Sequence, residues 1–331
     1  MTGDLMPLTP MKPDVRQQGM TLIESMVAMA ISTVLIAGSI GMYIETRSNY
    51  RTTESIARMQ ENLRFSIDIL DEDVRLAGYW GKTSSADALL TGRDDVTVTC
   101  NGINVTDWVL NRGQDQVDSI AALQTADDLI EDCPGTNTRP DSDVLIIRHA
   151  DAAQYTDARE DVVQIQSNSN NGKFFDDGIE PGIVDGKTFD VAFSAYYVSN
   201  ESKYDANLPS LRRLSLVNNR IEDQEIIPGV ENLQVQFGID TAPVDGQIDR
   251  YVNGDDLLIN TGSIVSARLW LLVRSEQNEA GQGYTDKRGP YVTPDASVDP
   301  IDPLDEDAAD YPPTYRRMAL SRTIVLRNGY R

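Results

Sequence analysis

Few residues in this chain are placed to do chemistry. Glu24 is the single charge in the run Met20–Ile44, MTLIESMVAMAISTVLIAGSIGMYI. An ionisable group inside an apolar segment is costly without a partner, so it marks a functional position. Cys100 and Cys133 are the only cysteines. They can form a disulfide, remain two buried thiols, or act as a redox pair. Their spacing is not C-x-x-C, which argues against redox chemistry. His149 is the only histidine. One imidazole cannot build a His-rich metal site or paired-histidine catalysis, and its place after a strand-like run reads as structural. Residues 295–310 contain Asp295, Asp299, Asp302, Asp305, Glu306, Asp307 and Asp310 without a base. Carboxylates at this density can bind calcium. However, no D-x-D-x-D-G ladder is present and prolines interrupt the run, so it reads as a solvated loop. There is no G-x-S-x-G, H-E-x-x-H or phosphate-binding glycine loop. The expectation is therefore no enzyme, no catalytic residue, no metal and no cofactor.

The elements that carry these residues fall into two regimes. A helix over Met20–Ile44 would be roughly 37 Å long, at about 1.5 Å per residue, enough to cross a hydrocarbon core of about 30 Å. The next candidate, Ile264–Val273, is interrupted by Arg268. A cleaved secretory signal has a shorter apolar core and a small-residue cleavage site after it; neither is present. A plain signal anchor fits the length but needs no acid in its first turn. Beyond Glu45 the pattern becomes one-sided. Ile56, Met59, Leu63, Ile67, Leu70 and Val74 recur at spacings of three and four, the mark of one apolar stripe. No proline occurs from Met20 to Trp80, so one helix over about 20–75 is expected. Gly38 and Gly41 either loosen it or permit close helix packing.

Downstream come short β-branched or alternating runs: 96–99, 144–148, 162–166, 191–198, 211–217, 230–239, 264–273 and 318–326. Polar or Gly-containing loops separate most of them. They predict an α+β fold, with a mostly antiparallel sheet laid against the helix. Residues 110–132 are ambiguous, with Ile120–Leu123 open to reading as a short helix.

The charge is divided unevenly. The chain of 331 residues has a net charge of −23, of which residues 1–82 hold only −2. So acidic a body is a poor match for a phosphate backbone, and nucleic acid is not expected as a partner. After Asp310 the sign reverses, with Arg316, Arg317, Arg322, Arg327 and Arg331 and no acid. This basic tail is expected to pair with acidic neighbours.

Arg16-Gln17-Gln18-Gly19 followed by Met20-Thr21-Leu22-Ile23-Glu24 resembles the processing site of type IV prepilins. There, a short polar leader ends in Gly and Glu is the fifth residue after the cut. The resemblance implies cleavage between Gly19 and Met20 by the prepilin peptidase and N-methylation of Met20. It also implies that Glu24 neutralises the terminal amine of a neighbouring subunit. The physics agrees: a carboxylate and an ammonium each lose several kcal/mol of solvation in an apolar bundle, and pairing recovers part of it. Starts at Met1, Met6 or Met11 would all leave this site intact.

The pattern Asp73-x-Arg75-x-Ala77-Gly78-Tyr79-Trp80-Gly81 is similar to the end of the first helix in the PilW group of minor pilins. Similar segments follow at 143–148, 208–212, 229–240, 267–274 and 315–328. The resemblance implies a pilin-like α+β fold with a leader over 1–19, a long helix over 20–82 whose 20–44 part is transmembrane or filament core, and a large, loop-rich periplasmic head over 83–331. It implies a structural minor pilin that primes pilus assembly and sits near the filament tip. Its partners would be other minor pilins, other pilus subunits and a tip adhesin. It would reside in the inner membrane before assembly and in the pilus at the cell surface afterwards. A J-type pseudopilin of type II secretion and an adhesive tip binding protein are the alternatives. A head in the oxidising periplasm favours a Cys100–Cys133 disulfide.

Overall fold

The computed structural model describes residues 19–83, 96–110, 120–123, 133, 137–139, 141–151, 157–243, 245–260, 262–296, 298–305 and 310–327. The leader up to residue 18 lies outside them. Two compact units divide between Thr53 and Glu54. Helix α1, Leu22–Leu76, contributes to both.

In the first unit α1 is apolar on every side. Leu22, Ile23, Met26, Met29, Val34 and Met42 are each at least 63% exposed. Among the described residues α1 is the one helix long and apolar enough to cross a membrane. It runs through Gly38 and Gly41 without interruption.

In the second unit the helix becomes one-sided. Met59, Leu63, Ile67, Leu70 and Val74 are buried, and Ile56 packs against them. The strands are β1 (Thr99–Cys100), β2 (Ile103–Asn104), β3 (Ile120–Leu123), β4 (Val144–Ala150), β5 (Glu160–Ser167), β6 (Gly172–Asp177), β7 (Lys187–Ser199), β8 (Ser210–Val217), β9 (Arg220–Pro228), β10 (Val230–Asp240), β11 (Arg250–Asn253), β12 (Ser263–Arg274) and β13 (Arg317–Val325), with a four-residue helix α2 (Thr106–Val109) between β2 and β3. They form a larger sheet, β2-β1-β9-β8-β7-β4-β3 with β5 and β6 branching from β7, and a smaller sheet, β11-β10-β12-β13. Among the described residues the one parallel contact is β1 with β9.

Alternation along β4 and β7 explains why both read as nearly continuous apolar runs. Leu145, Ile147, Tyr196 and Val198 join the α1 stripe and the inner faces of β10 and β12 in one core. Val144, Ile146, Phe193, Ala195 and Tyr197 face a second core with Trp80, Val98, Cys100 and Cys133. Successive strand side chains point to opposite faces, so a sheet covered on both faces needs apolar residues at every position. A third cluster, Trp270, Leu272 and Ile301, lies against Tyr291 and Tyr311. It covers the face of β12 opposite to that of Leu269 and Leu271.

Helix α1 ends at Leu76, in line with the helix expected over about 20–75. Gly78 adopts φ +72°, a conformation that favours glycine and stops a helix. The Gly78 N–H then donates to the Arg148 carbonyl, 3.1 Å away. Ile120–Leu123 is a strand paired antiparallel with β4, Ile120 opposite Ile147, and not a short helix. Of Val96–Thr99 only Thr99 lies in a strand; the Val98 N–H donates instead to Thr106 Oγ1 at 2.7 Å.

Two polar features hold the second unit together. The short segment Asp141–Asp143 fills the part of the β10 border that β11 leaves open, since β11 pairs only with Gln236–Ile239. The Asp143 N–H donates to the Leu233 carbonyl at 2.9 Å, the Leu233 N–H to Ser142 Oγ at 3.1 Å, and the Val235 N–H to Asp143 Oδ2 at 2.7 Å. Burial pushes the Asp143 carboxyl up to about 7; the Val235 N–H opposes this, and the charges of Asp295 and Asp255 add to it. The second feature is ionic. Arg317 Nε and Nη2 bind the two oxygens of Glu231 at 2.6 and 3.0 Å, and Nη1 reaches Asp286 at 3.4 Å. All three side chains are 0% exposed. Burial works against the Arg317 charge, but Glu231 and Asp286 outweigh it and hold its pKa above the ordinary value.

Arg317→Ala should leave Asp286 buried without its cation and Glu231 with only the longer 3.5 Å contact to Arg274, and cost about 3–5 kcal/mol, read as a lower thermal midpoint of the head. The Asp143 prediction has a definite sign. Its folded pKa lies above the unfolded one, so its contribution to stability is fully present below about pH 4 and is lost as pH rises through 7. Asp143→Asn keeps an acceptor for the Val235 N–H. Its thermal midpoint should therefore fall less than the wild type's between pH 5 and pH 8.

Candidate functional site

The first turn of α1 is built from Thr21 and Glu24. The backbone N–H and hydroxyl of Thr21 both donate to Glu24 Oε2 at 3.0 Å. The Glu24 N–H donates back to Thr21 Oγ1 at 3.3 Å. This reciprocal pairing is a capping box, which satisfies N–H groups that the start of any helix leaves without an intrahelical acceptor. Carboxylate at this position also complements the positive end of the helix dipole. The box sets where the helix begins. Leu22 is its first residue, while Gly19, Met20 and Thr21 stay outside regular structure. Met20 is 72% exposed, and a side chain at Gly19 would meet nothing within 4 Å. The Gly19–Met20 bond is thus non-helical and open on the Gly19 side.

The structure brings Gly19, Met20 and Glu24 into one short segment. A T-x-x-E spacing is visible in the sequence, yet there Glu24 was read only as a buried charge seeking a partner. In the structure it has a first partner in its own chain. Any pairing with a second chain must coexist with the Thr21 contacts or replace them. Chemically, the segment offers an accessible peptide bond and, one turn away, a carboxylate held by Thr21 at the start of the helix.

Cys100 and Cys133 lie in the second unit and form a disulfide, with Cα atoms 5.3 Å apart. Both are buried beside Val98, Val105 and Val109. His149 is 6% exposed. Its Nδ1 lies 2.8 Å from the Ala150 carbonyl, so that nitrogen carries the hydrogen. The acidic stretch 295–310 is not wholly solvated: Asp295 is 3% exposed, and Thr293 Oγ1 donates to its carbonyl at 2.8 Å. Residues 306–309 lie outside the described residues. Among the described residues no three His, Cys, Asp or Glu side chains are grouped to hold a metal ion. The basic tail pairs with acids: Arg316 with Glu279 at 2.7 Å, Arg317 as above, and Arg322 with Asp68 and Asp71 at 3.4 and 3.2 Å.

The segment closing α1 also acquires a physical reading. Asp73 accepts the Tyr196 hydroxyl at 2.6 Å; burial, together with the Asp73 charge, raises the tyrosine's pKa and keeps it a donor. Arg75 pairs with Asp71 at 2.6 Å. Tyr79 and Trp80 make edge-to-face contacts with Phe189 and Phe174, at centroid distances of 6.1 and 5.6 Å. Gly81 sits at φ +77°, where a Cβ would collide with the Phe189 ring. Ser167 Oγ donates to the Trp80 carbonyl at 2.8 Å and accepts the Lys82 N–H at 3.0 Å. The aromatic and glycine residues, with Ser167, therefore join the helix end to β5, β6 and β7.

Comparison with known proteins bears on both regions. Residues 195–328 match the family described as Type IV Pilus-assembly protein W, PilW. Residues 15–40 match the prokaryotic N-terminal methylation motif. The chain is 32% identical over 66 residues to the pilin-like protein PilA3 of Thermus thermophilus, an alignment covering 19% of this chain and 28% of that protein's length. A solved type IV-like pilin from Thermus thermophilus aligns with a TM-score of 0.33 and 12% identity, covering 83% of this chain and 99% of the other.

Proposed function

Starting from this chain's being a type IV pilin-like protein of the PilW group, we propose that it is a structural minor pilin that primes pilus assembly and stays near the filament tip with other minor pilins. The observation that carries this reading is the exposed apolar helix Leu22–Ile44 with Glu24 as its single charge. Such a surface needs lipid before assembly and the helices of other subunits after it. Cleavage between Gly19 and Met20 by a prepilin peptidase would create an ammonium group at Met20. Glu24 of a neighbouring subunit would then neutralise that charge inside the apolar bundle, where each ion alone is costly. The bulk of the head supports a tip or initiating position, since a large body is harder to repeat in tight stacks. The disulfide supports a head on the oxidising, periplasmic side of the inner membrane. The match over residues 195–328 favours this role over that of a J-type pseudopilin.

The capping box makes the test sharp. Glu24→Gln retains a side chain that can cap the helix but removes the charge. Thr21→Ala removes the hydroxyl of the box but leaves the charge. Membrane levels and leader cleavage should be unchanged in both. Incorporation into sheared pili, read by immunoblot, should fall about tenfold or more for Glu24→Gln, since an unpaired buried ammonium costs well over 1.4 kcal/mol. Thr21→Ala should stay near wild type. Normal incorporation of Glu24→Gln would refute the pairing role. Gly19→Ile should block processing, leaving the leader's mass on the protein in mass spectrometry.

A further inference from the structure

The face of the larger sheet that α1 covers changes character near the end of the helix. Where it joins the core it is apolar, with Leu145, Ile147, Tyr196, Val198 and Leu211. Side chains two residues apart, or paired across neighbouring strands, share a face. The same face therefore continues into His149 on β4, Ala192 and Ser194 on β7, and Arg213 and Ser215 on β8. Three of these side chains are small, and they leave the floor low. A cleft of about 380 Å³ opens above them, walled by Glu72, Asp73 and Leu76 from the last turns of α1.

Two side chains lining this cleft are deeply buried with hydrogen-bonding capacity unused. His149 and Ser194 are each 6% exposed. The His149 Nδ1–H is spent on the Ala150 carbonyl, so Nε2 is left as an acceptor. Among the described residues no group donates to it, and the Ser194 hydroxyl has no partner either. Buried polar atoms normally find partners, because leaving them without one is costly. A third group, the exposed Glu72 carboxylate, makes no hydrogen bond or ion pair among the described residues.

The charges of the lining select the occupant. Glu72, Asp73 and Asp151 stand against one base, Arg213. Arg213 is ion-paired with none of the three; it bonds to the neutral Gln224 at 3.2 Å and to Tyr196. An anion would meet three acids. Calcium takes about six to eight oxygen ligands, and among the described residues no three side chains are grouped to hold a metal ion. The groups left over are all acceptors: a carboxylate, an imidazole nitrogen and a hydroxyl oxygen. An ammonium group is their complement, with N–H donors only and a positive charge. We infer that the cleft binds a primary ammonium group, of a free alkyl amine or of a lysine side chain. Glu72 supplies the countercharge, and His149 Nε2 and Ser194 Oγ accept the other hydrogens. This site does not depend on the assembly reading.

The chain has one histidine, so its imidazole resonances report this cleft alone. The test uses the full-length protein in detergent micelles, isotope-labelled at histidine, and follows Nε2 by NMR. Titration with butylammonium chloride should shift the resonance to saturation. Tetramethylammonium chloride, an equal charge without N–H donors, should leave it in place at the same ionic strength. Glu72→Gln, at an exposed helix position, should weaken butylammonium binding about fivefold. Ala192→Leu raises the floor of the cleft and should abolish the shift, with the head's thermal midpoint retained. Two further titrants separate the sources. Tighter binding of Nα-acetyl-lysine methylamide than of diaminobutane assigns the site to a lysine of another polypeptide, and the reverse order assigns it to a free amine. An Nε2 resonance unmoved by butylammonium, an equal shift with tetramethylammonium, or unchanged affinity in Glu72→Gln would each overturn the proposal.

Discussion

A single helix has to satisfy two solvents. Over Leu22–Ile44 α1 is apolar all round and exposed; from Ile56 onward it is apolar along one stripe and buried on that side. Proline-free sequence lets the helix run through both regimes, but the energetics differ. The second half is held by its own core, where Met59, Leu63, Ile67, Leu70 and Val74 meet residues from both sheets. Among the described residues the first half has no such core, and an apolar surface of this kind is stable only against lipid or other apolar surfaces. That division explains why the compact units part within the helix, at Thr53 and Glu54, and not at its end.

The fold was legible where one physical term dominated. The stripe from Ile56 to Val74 could be read because burial on one side leaves a spacing of three and four. The runs of β4, β7, β10 and β12 could be read because burial on both faces removes the polar half of the alternation. β9, RIEDQEIIP, is hard to read because its first half, Arg220–Gln224, is mostly exposed and charged. The ladder from β8 makes it a strand. Ile120–Leu123 is too short for periodicity to decide, and pairing with β4 decides it. The Ala77–Gly81 pattern could be matched as a motif, but its reason lay in residues far along the chain, Ser167 and Phe189. At the N-terminal site Gly19, Met20 and Glu24 were legible from types and spacing. The Thr21 contact is less legible, because a lone charge in an apolar run points to a distant partner before it points to an ordinary helix cap.

The acidity also changes meaning. A net charge of −23 suggests a solvated coat, and much of it is. Yet Glu231, Asp286 and Asp143 are buried in the framework. The arginines of the tail serve partly to compensate that interior acid, which is why they cluster on the strand adjoining β12. A buried ion pair contributes little net stability but penalises every arrangement that separates it. The Glu231–Arg317 contact therefore acts mainly by excluding alternatives, including sheets that close without β13.

The contact spans 86 residues, and that distance is also an interval in time. As a chain emerges amino end first, Glu231 enters a forming sheet long before Arg317 exists to meet it. Closing so long a loop is a late event, and until then the nearer cation for Glu231 is Arg274, 3.5 Å away in the finished fold. The smaller sheet is thus completed last, by β13. A chain made only as far as β12 lacks the β13 border altogether, so the smaller sheet has its final edge only when synthesis is nearly complete.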